Sequence, residues 1–185
     1  PARSHAPLAL AGSHQRENAS LCLAAMEALS MVDETAWLQG LRRVRWPARM
    51  EWVDALHLVD GAHNPDALAA LAASLPRDER FALVLGMLGP PGRVAPADLA
   101  PLLDRCDRVV VTRPTSPRAL DPQRVAALLP AGSAPRVAPD LRRALSLLRA
   151  DRRRRVIAGS LYLAGEALAL LRDEPTDPWP TADPL

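Results

Sequence analysis

The hexapeptide Asp60-Gly61-Ala62-His63-Asn64-Pro65 places a carboxylate, an imidazole and an amide in one short turn, after an apolar run that ends at Val59 and before an Ala/Leu-rich run. Side chains of these types move protons or hold charge when a turn aims them at a ligand. Part of the segment needs no ligand. Asn64 suits a helix N-cap, and Pro65 suits the first helical position, where a missing N–H costs nothing. Asp60 and His63 are not explained that way, and Gly61 marks a backbone that must approach something closely. Capping and ligand contact both stay open for this turn.

Three further groups invite the same question. His14, Gln15 and Asn18 lie three and four residues apart, so they share a helical face near an N-terminus, where an amide reads an adenine edge or caps the helix. Arg49, after Trp46-Pro47-Ala48, offers a planar fork to a phosphate, or is a plain surface residue. Residues 86–93, GMLGPPGR, are glycine-rich, but their two prolines remove N–H donors that a phosphate cradle needs, so they read as a mobile surface turn. All 23 basic residues are arginine. Without lysine the sequence holds no Walker A loop and no Schiff-base or lysine-base chemistry.

The bulk properties fit one compact domain with a real core and a short appendage: 185 residues, 49% of them hydrophobic. Cys22 and Cys106 lie far apart and match no C-x-x-C spacing, so a reduced cytoplasmic protein with buried, inert thiols is expected. No run approaches the ~20 apolar residues of a membrane span, and the first ten residues lack a signal-peptide layout. A formal charge of +2 and 3% aromatic residues argue against a nucleic-acid partner, and the run Arg152 to Arg155 reads as a solvated strand entry.

The elements that must position these residues follow from periodicity. Apolar spacing predicts helices over 14–30 and 31–45, then two short strands near 50–53 and 56–59 or one bent strand across both. Strands over 81–88, 108–114, 134–139 and 154–160 then alternate with helices over 96–106, 121–130, 140–150 and 161–172. That alternation predicts an open, mostly parallel sheet with helices on both faces, a Rossmann-like doubly wound domain. Ligands bind at the carboxyl ends of such strands. Asp60, His63 and Asn64 gather there, as do Thr112 with Arg113 and Gly159 with Ser160. A boundary is expected near Pro47: residues 1–45 as the end of a preceding domain, 46–172 as the α/β domain, and 173–185, with four prolines, as a flexible tail.

Read in order, HQRENA, WPAR, LVDGAHNP and IAGSLYLAGEAL form one pattern over residues 8 to 172. It resembles the folylpolyglutamate synthase and dihydrofolate synthase family, relatives of the Mur peptide ligases. The resemblance implies an ATP-dependent ligase: ATP phosphorylates a folate or dihydropteroate carboxylate, and the amino group of L-glutamate attacks the acyl phosphate with Mg²⁺ assisting. It places Asn18 and Asp60 at the nucleotide, Arg49 at the ATP phosphates, His63 near the reacting groups and Ser160 on the glutamate side. Two departures stand out. Ala48 replaces the family's glycine, and GPPGRV replaces an Asp-Lys-Asp element. The family's P-loop, Mg²⁺ ligands and carbamylated lysine belong to an N-terminal ATPase domain. The resemblance therefore implies the C-terminal, Mur ligase-type domain of a monomeric two-domain enzyme, inactive without that partner domain. Two rival readings are a non-catalytic binding module that kept the fold and a Mur-type peptide ligase domain.

Overall fold

Apolar runs too short for helices and too apolar for a half-solvated surface build the centre of a six-stranded sheet in the order β1-β2-β6-β3-β4-β5. The strands are β1 Glu51–Trp52, β2 His57–Val59, β3 Phe81–Leu85, β4 Cys106–Val111, β5 Arg136–Val137 and β6 Arg155–Ala158. All pairings are parallel except β1 with β2. The computed structural model describes residues 7–90 and 94–175. The expected mobile turn at Pro91, Gly92 and Arg93, and the expected flexible tail past residue 175, lie outside the described residues.

Every residue of β3 and β6 is buried, because helices cover both faces. Leu83, Leu85, Val156 and Ala158 point to one core, which α3 (Pro65–Ser74), α4 (Pro96–Leu103) and α5 (Pro122–Ala127) close. Val59, Val84, Val110 and Ile157 point to the other, closed by α6 (Leu141–Leu147) and α7 (Leu161–Arg172). Side chains alternate across a strand, so one run of apolar residues feeds two layers. The helices start where the sequence supplies caps. Asn64 Oδ1 accepts from Ala67 N–H at 2.9 Å, Asp140 Oδ1 from Arg143 N–H at 2.7 Å and Ser160 Oγ from Leu163 N–H at 3.0 Å. Observed strands are shorter than the apolar runs. β3 stops at Leu85, and β4 begins earlier, at Cys106, and stops at Val111, so that Thr112 N–H caps the pairing on Leu85 C=O at 2.9 Å.

Two helices precede the sheet, α1 (His14–Ala28) and α2 (Glu34–Arg43). Of α1 only Gln15 is buried, and Leu21 is 70% exposed. The expectation of two buried thiols holds for Cys106 alone, whose thiol burial pushes up to about 12. Cys22 is exposed, because its face of α1 borders an open hollow toward α2. Core and helix hairpin should therefore respond differently to truncation. Leu83→Ala, at a fully buried position, should cost ~3 kcal/mol in urea unfolding, and Leu21→Ala less than ~0.5 kcal/mol.

Candidate active site at the carboxyl ends of the strands

Sheet pairing runs one residue past β2, since Asp60 N–H donates to Ile157 C=O at 3.0 Å. The Asp60 side chain then turns inward and is 8% exposed. Its Oδ2 accepts from Met50 N–H and its Oδ1 from Ala62 N–H, both at 2.8 Å. Burial pushes the carboxyl above its ordinary range, against the opposing pull of these two N–H groups and of the Arg49 and His14 charges. The turn thus clamped is left-handed at two non-glycine residues, Ala48 (φ 57°) and Met50 (φ 48°). So the position where the family carries glycine does demand positive φ, and alanine adopts it at a cost of about 1–2 kcal/mol. Surrounding bonds hold it there. Ala48 N–H donates to Glu51 Oε2 at 2.8 Å, Gly61 N–H donates to Ala48 C=O at 2.8 Å, and Arg172 Nη2 donates to Glu51 Oε1. Arg49, between the two strained residues, is exposed.

His63 is exposed on the other side of the clamp. A carbonyl only accepts, so the contact of 2.7 Å between His63 Nδ1 and Gly61 C=O makes Nδ1 the donor, and in the neutral ring Nε2 keeps its lone pair outward. Ser160 is 1% exposed and serves as the α7 N-cap described above. His63 and Ser160 share a cleft of 150 Å³ with Gly159, Arg118, Leu161 and Tyr162. Gly159 has φ 112°, and a Cβ there would lie 2.7 Å from Gly86 C=O, so only glycine fits that floor. At the rim, Arg118 Nη2 donates to Tyr162 Oη at 3.2 Å and its guanidinium lies 5.7 Å from the ring centroid. The loop carrying Arg118 is tied to α7 because Glu166 Oε1 accepts from Thr115 N–H. Burial, with the Asp140 charge, raises the Glu166 carboxyl above its ordinary range despite the Thr115 bonds.

The five residues singled out from sequence do not all meet in one hollow. His63 and Ser160 do. Arg49 lines a separate groove of 790 Å³ with Arg42, Arg43, Arg45, Arg172, Trp46 and Trp52, and makes no hydrogen bond or salt bridge among the described residues. Asp60 lines neither, and links the Arg49 turn to the His63 turn from inside. Asn18 borders a third, apolar hollow of 440 Å³ between α1 and α2. Its Nδ2 donates to Gln15 Oε1 at 3.2 Å, and Gln15 Nε2 donates to His14 Nε2 at 3.0 Å, so these three bond to one another rather than cap α1. Arg118 and Tyr162 were missed from sequence. Tyr162 sits inside the GSLYL segment, but nothing distinguishes Arg118 from the other arginines until the fold brings its loop over α7. No cluster of three or more His, Cys, Asp or Glu side chains suited to a metal occurs among the described residues.

A mostly parallel sheet in this order, with a cleft at its strand ends beside a histidine and an arginine, is a Rossmann-like α/β architecture with its candidate site where such folds place ligands. The family described as Mur ligase, glutamate ligase domain, matches residues 48–160, and the chain belongs to it. Folate enzymes stand among its relatives. The chain is 38% identical over 151 residues to the dihydrofolate synthase/folylpolyglutamate synthase of Mycobacterium tuberculosis, covering 77% of this chain and 30% of that protein. It is 32% identical over 169 residues to a probable bifunctional folylpolyglutamate synthase/dihydropteroate synthase of Halobacterium salinarum, covering 85% of this chain and 20% of that one. The fold superimposes on Mycobacterium tuberculosis folylpolyglutamate synthase, crystallised with ADP and AMPPCP, with a TM-score of 0.76 and 34% identity over 91% of this chain and 42% of that chain. The chain thus spans less than a third of the length of these two curated relatives.

The clamp makes a stability prediction with a defined pH signature. Asp60→Asn replaces one acceptor oxygen by NH₂ and leaves a buried N–H of Met50 or Ala62 unpaired, costing ~2 kcal/mol in urea unfolding near neutral pH. Because the folded carboxyl titrates above its ordinary 3.8, its stabilising contribution is full below that pH and declines as pH rises through the folded value. The variant should lose this part of the decline. Equal stability and an identical pH profile in both proteins would contradict the clamp.

Proposed function

We propose that this chain is the C-terminal part of an ATP-dependent amide ligase that adds L-glutamate to tetrahydrofolate or dihydropteroate through an acyl phosphate. The observation that carries this reading is the shared cleft of His63 and Arg118 at the strand ends, in a chain of the glutamate-ligase family. In the proposed reaction the γ-phosphoryl group of ATP passes to the folate or pteroate carboxylate, leaving ADP. The glutamate amine then attacks the acyl carbon, the bond from that carbon to the phosphate oxygen breaks, and inorganic phosphate departs. His63 Nε2 takes the proton that the attacking amine sheds.

The other residues divide by what their surroundings leave free. Arg118, steadied on Tyr162, offers its fork to a carboxylate of the incoming glutamate. Ser160, its oxygen engaged with Leu163 N–H, shapes the floor on the glutamate side. Arg49 projects into the basic groove and takes the ATP phosphates, and Asn18 contacts the nucleotide from α1. Asp60 acts through Met50 N–H, holding the Arg49 turn, in place of touching the nucleotide itself. Positioned charge of this kind is most of what acyl-phosphate chemistry asks of a protein.

A lysine-free chain has no P-loop, and in this reading the Mg²⁺ ligands lie outside it as well. Both would come from an N-terminal ATPase domain that closes over Arg49 and α1, in the cytoplasm. None of the described helices is long and apolar enough to cross a membrane.

Calorimetric titration of ATP·Mg into the chain, with and without a supplied N-terminal ATPase domain, tests the division of labour. Binding should be weak or absent alone and restored on mixing, with no glutamate addition by the chain alone. In the reconstituted enzyme Arg118→Gln should raise the KM for glutamate about tenfold or more while changing kcat less, as expected for a lost charge-assisted bond to a carboxylate. Dihydropteroate and tetrahydrofolate should be accepted and a muramyl peptide refused. Turnover by the isolated chain, or an unchanged glutamate KM, would overturn the reading.

A further inference from the structure

The opposite end of the sheet carries a second polar cleft, of 530 Å³, at the amino ends of β4, β5 and β6. It exists because β5 is short. β5 pairs with β4 only through Arg136 and Val137, opposite Val110 and Val111, so the amino half of β4 has no strand on that side. Four arginines line the gap, Arg108, Arg136, Arg152 and Arg153, against two aspartates, Asp107 and Asp151.

Both aspartates are already shared. Asp107 accepts from Arg80 Nε at 2.8 Å and Arg153 Nε at 3.0 Å. Asp151 accepts from Arg153 Nη1 at 3.1 Å and lies 3.9 Å from Arg108 Nε. The Arg80 bond foremost, then that of Arg153, hold the Asp107 carboxyl below its ordinary range, as an anion shared between those two guanidiniums. Among the described residues Arg152 makes no hydrogen bond or salt bridge, and Arg136 bonds only to Leu147 C=O, at 3.2 Å. Behind this wall Arg155, 5% exposed, has no carboxylate partner: its Nη2 donates to Leu148 C=O at 2.9 Å and Asp151 C=O at 3.0 Å, and its Nη1 is buried without a partner. A buried, uncompensated cation behind a concave wall of exposed ones concentrates positive potential in the cleft.

We propose that this cleft is a binding site for a compact oligophosphate, held by Arg136 and Arg152 with the Ser133 hydroxyl beside them. Two guanidinium forks without carboxylate partners match two phosphoryl groups, and the charge density of an oligophosphate exceeds that of the resident aspartates. No aromatic ring lines the cleft, so a nucleobase gains nothing there and the phosphates are the whole recognition element.

The test is titration of pyrophosphate into the full 185-residue chain at low ionic strength, followed by calorimetry and by amide NMR. Saturable one-site binding is expected, with shift changes at residues 107–110, 132–136 and 147–153. Binding should weaken about tenfold when Arg136→Gln and Arg152→Gln are combined, and fall steeply with added salt. Ser133→Glu, which leaves every arginine in place and sets a charge at the mouth, should weaken binding as much with an unchanged melting temperature. Arg77→Gln, at an exposed arginine outside the cleft, should bind as the parent does. ADP should bind here no more tightly than pyrophosphate; much tighter binding of ADP would overturn the assignment to the phosphates. So would the absence of saturable binding, indifference to both cleft variants, or shift changes gathered at Arg49.

Discussion

The Asp60 carboxylate accepts one main-chain N–H from Met50 and another from Ala62, and the geometry of the candidate site depends on that pair of bonds. One bond fixes a left-handed turn that no glycine eases; the other fixes the turn from which His63 emerges. Arg49 and the His63 imidazole stand on separate turns, and a buried acid, rather than either side chain, holds the two turns together. The same residue occupies the end of β2, so the sheet transmits its own rigidity to both turns. Glu51 and Arg172 add a second brace from the far end of α7.

Much of this was legible in the sequence, for identifiable reasons. Apolar runs of strand length alternating with amphipathic ones forced a parallel sheet, and the last helix, residues 161–172, was readable at both ends because Ser160 caps one and Asp173 leaves the helical region at the other. The DGAHNP turn announced itself through residues that a cap alone does not require. What stayed hidden was orientation. A pattern cannot say that an aspartate faces inward, since that depends on Met50 arriving from a separate turn. Nor could it select Arg118, whose significance comes from Tyr162, far away along the chain and adjacent in space. Cys22 illustrates the opposite failure: helical spacing implies a closely covered face, and on α1 that face borders an open hollow toward α2.

Arginine gathers at both ends of the sheet but in different company. Around Arg49 the acid that lines the groove among the described residues is Glu51, which Arg172 already engages. At the amino ends aspartates are interleaved with arginines and partly neutralise them. The first arrangement spreads exposed guanidiniums along an open groove, and the second gathers two without carboxylate partners in a cleft. Composition alone, with one nearly balanced total, conceals both.

The floor of the strand-end cleft is main chain pressed against main chain: Gly159 N–H meets Ala62 C=O at 2.9 Å, Gly86 N–H meets Ala158 C=O at 3.1 Å, and a methyl group at Gly159 would collide with Gly86. A surface made that way offers natural selection nothing to vary one residue at a time. Any change in what this cleft accepts must therefore come from its rim, in the loops that follow β3 and β4, because a side chain added at Gly159 would displace the main chain beneath it.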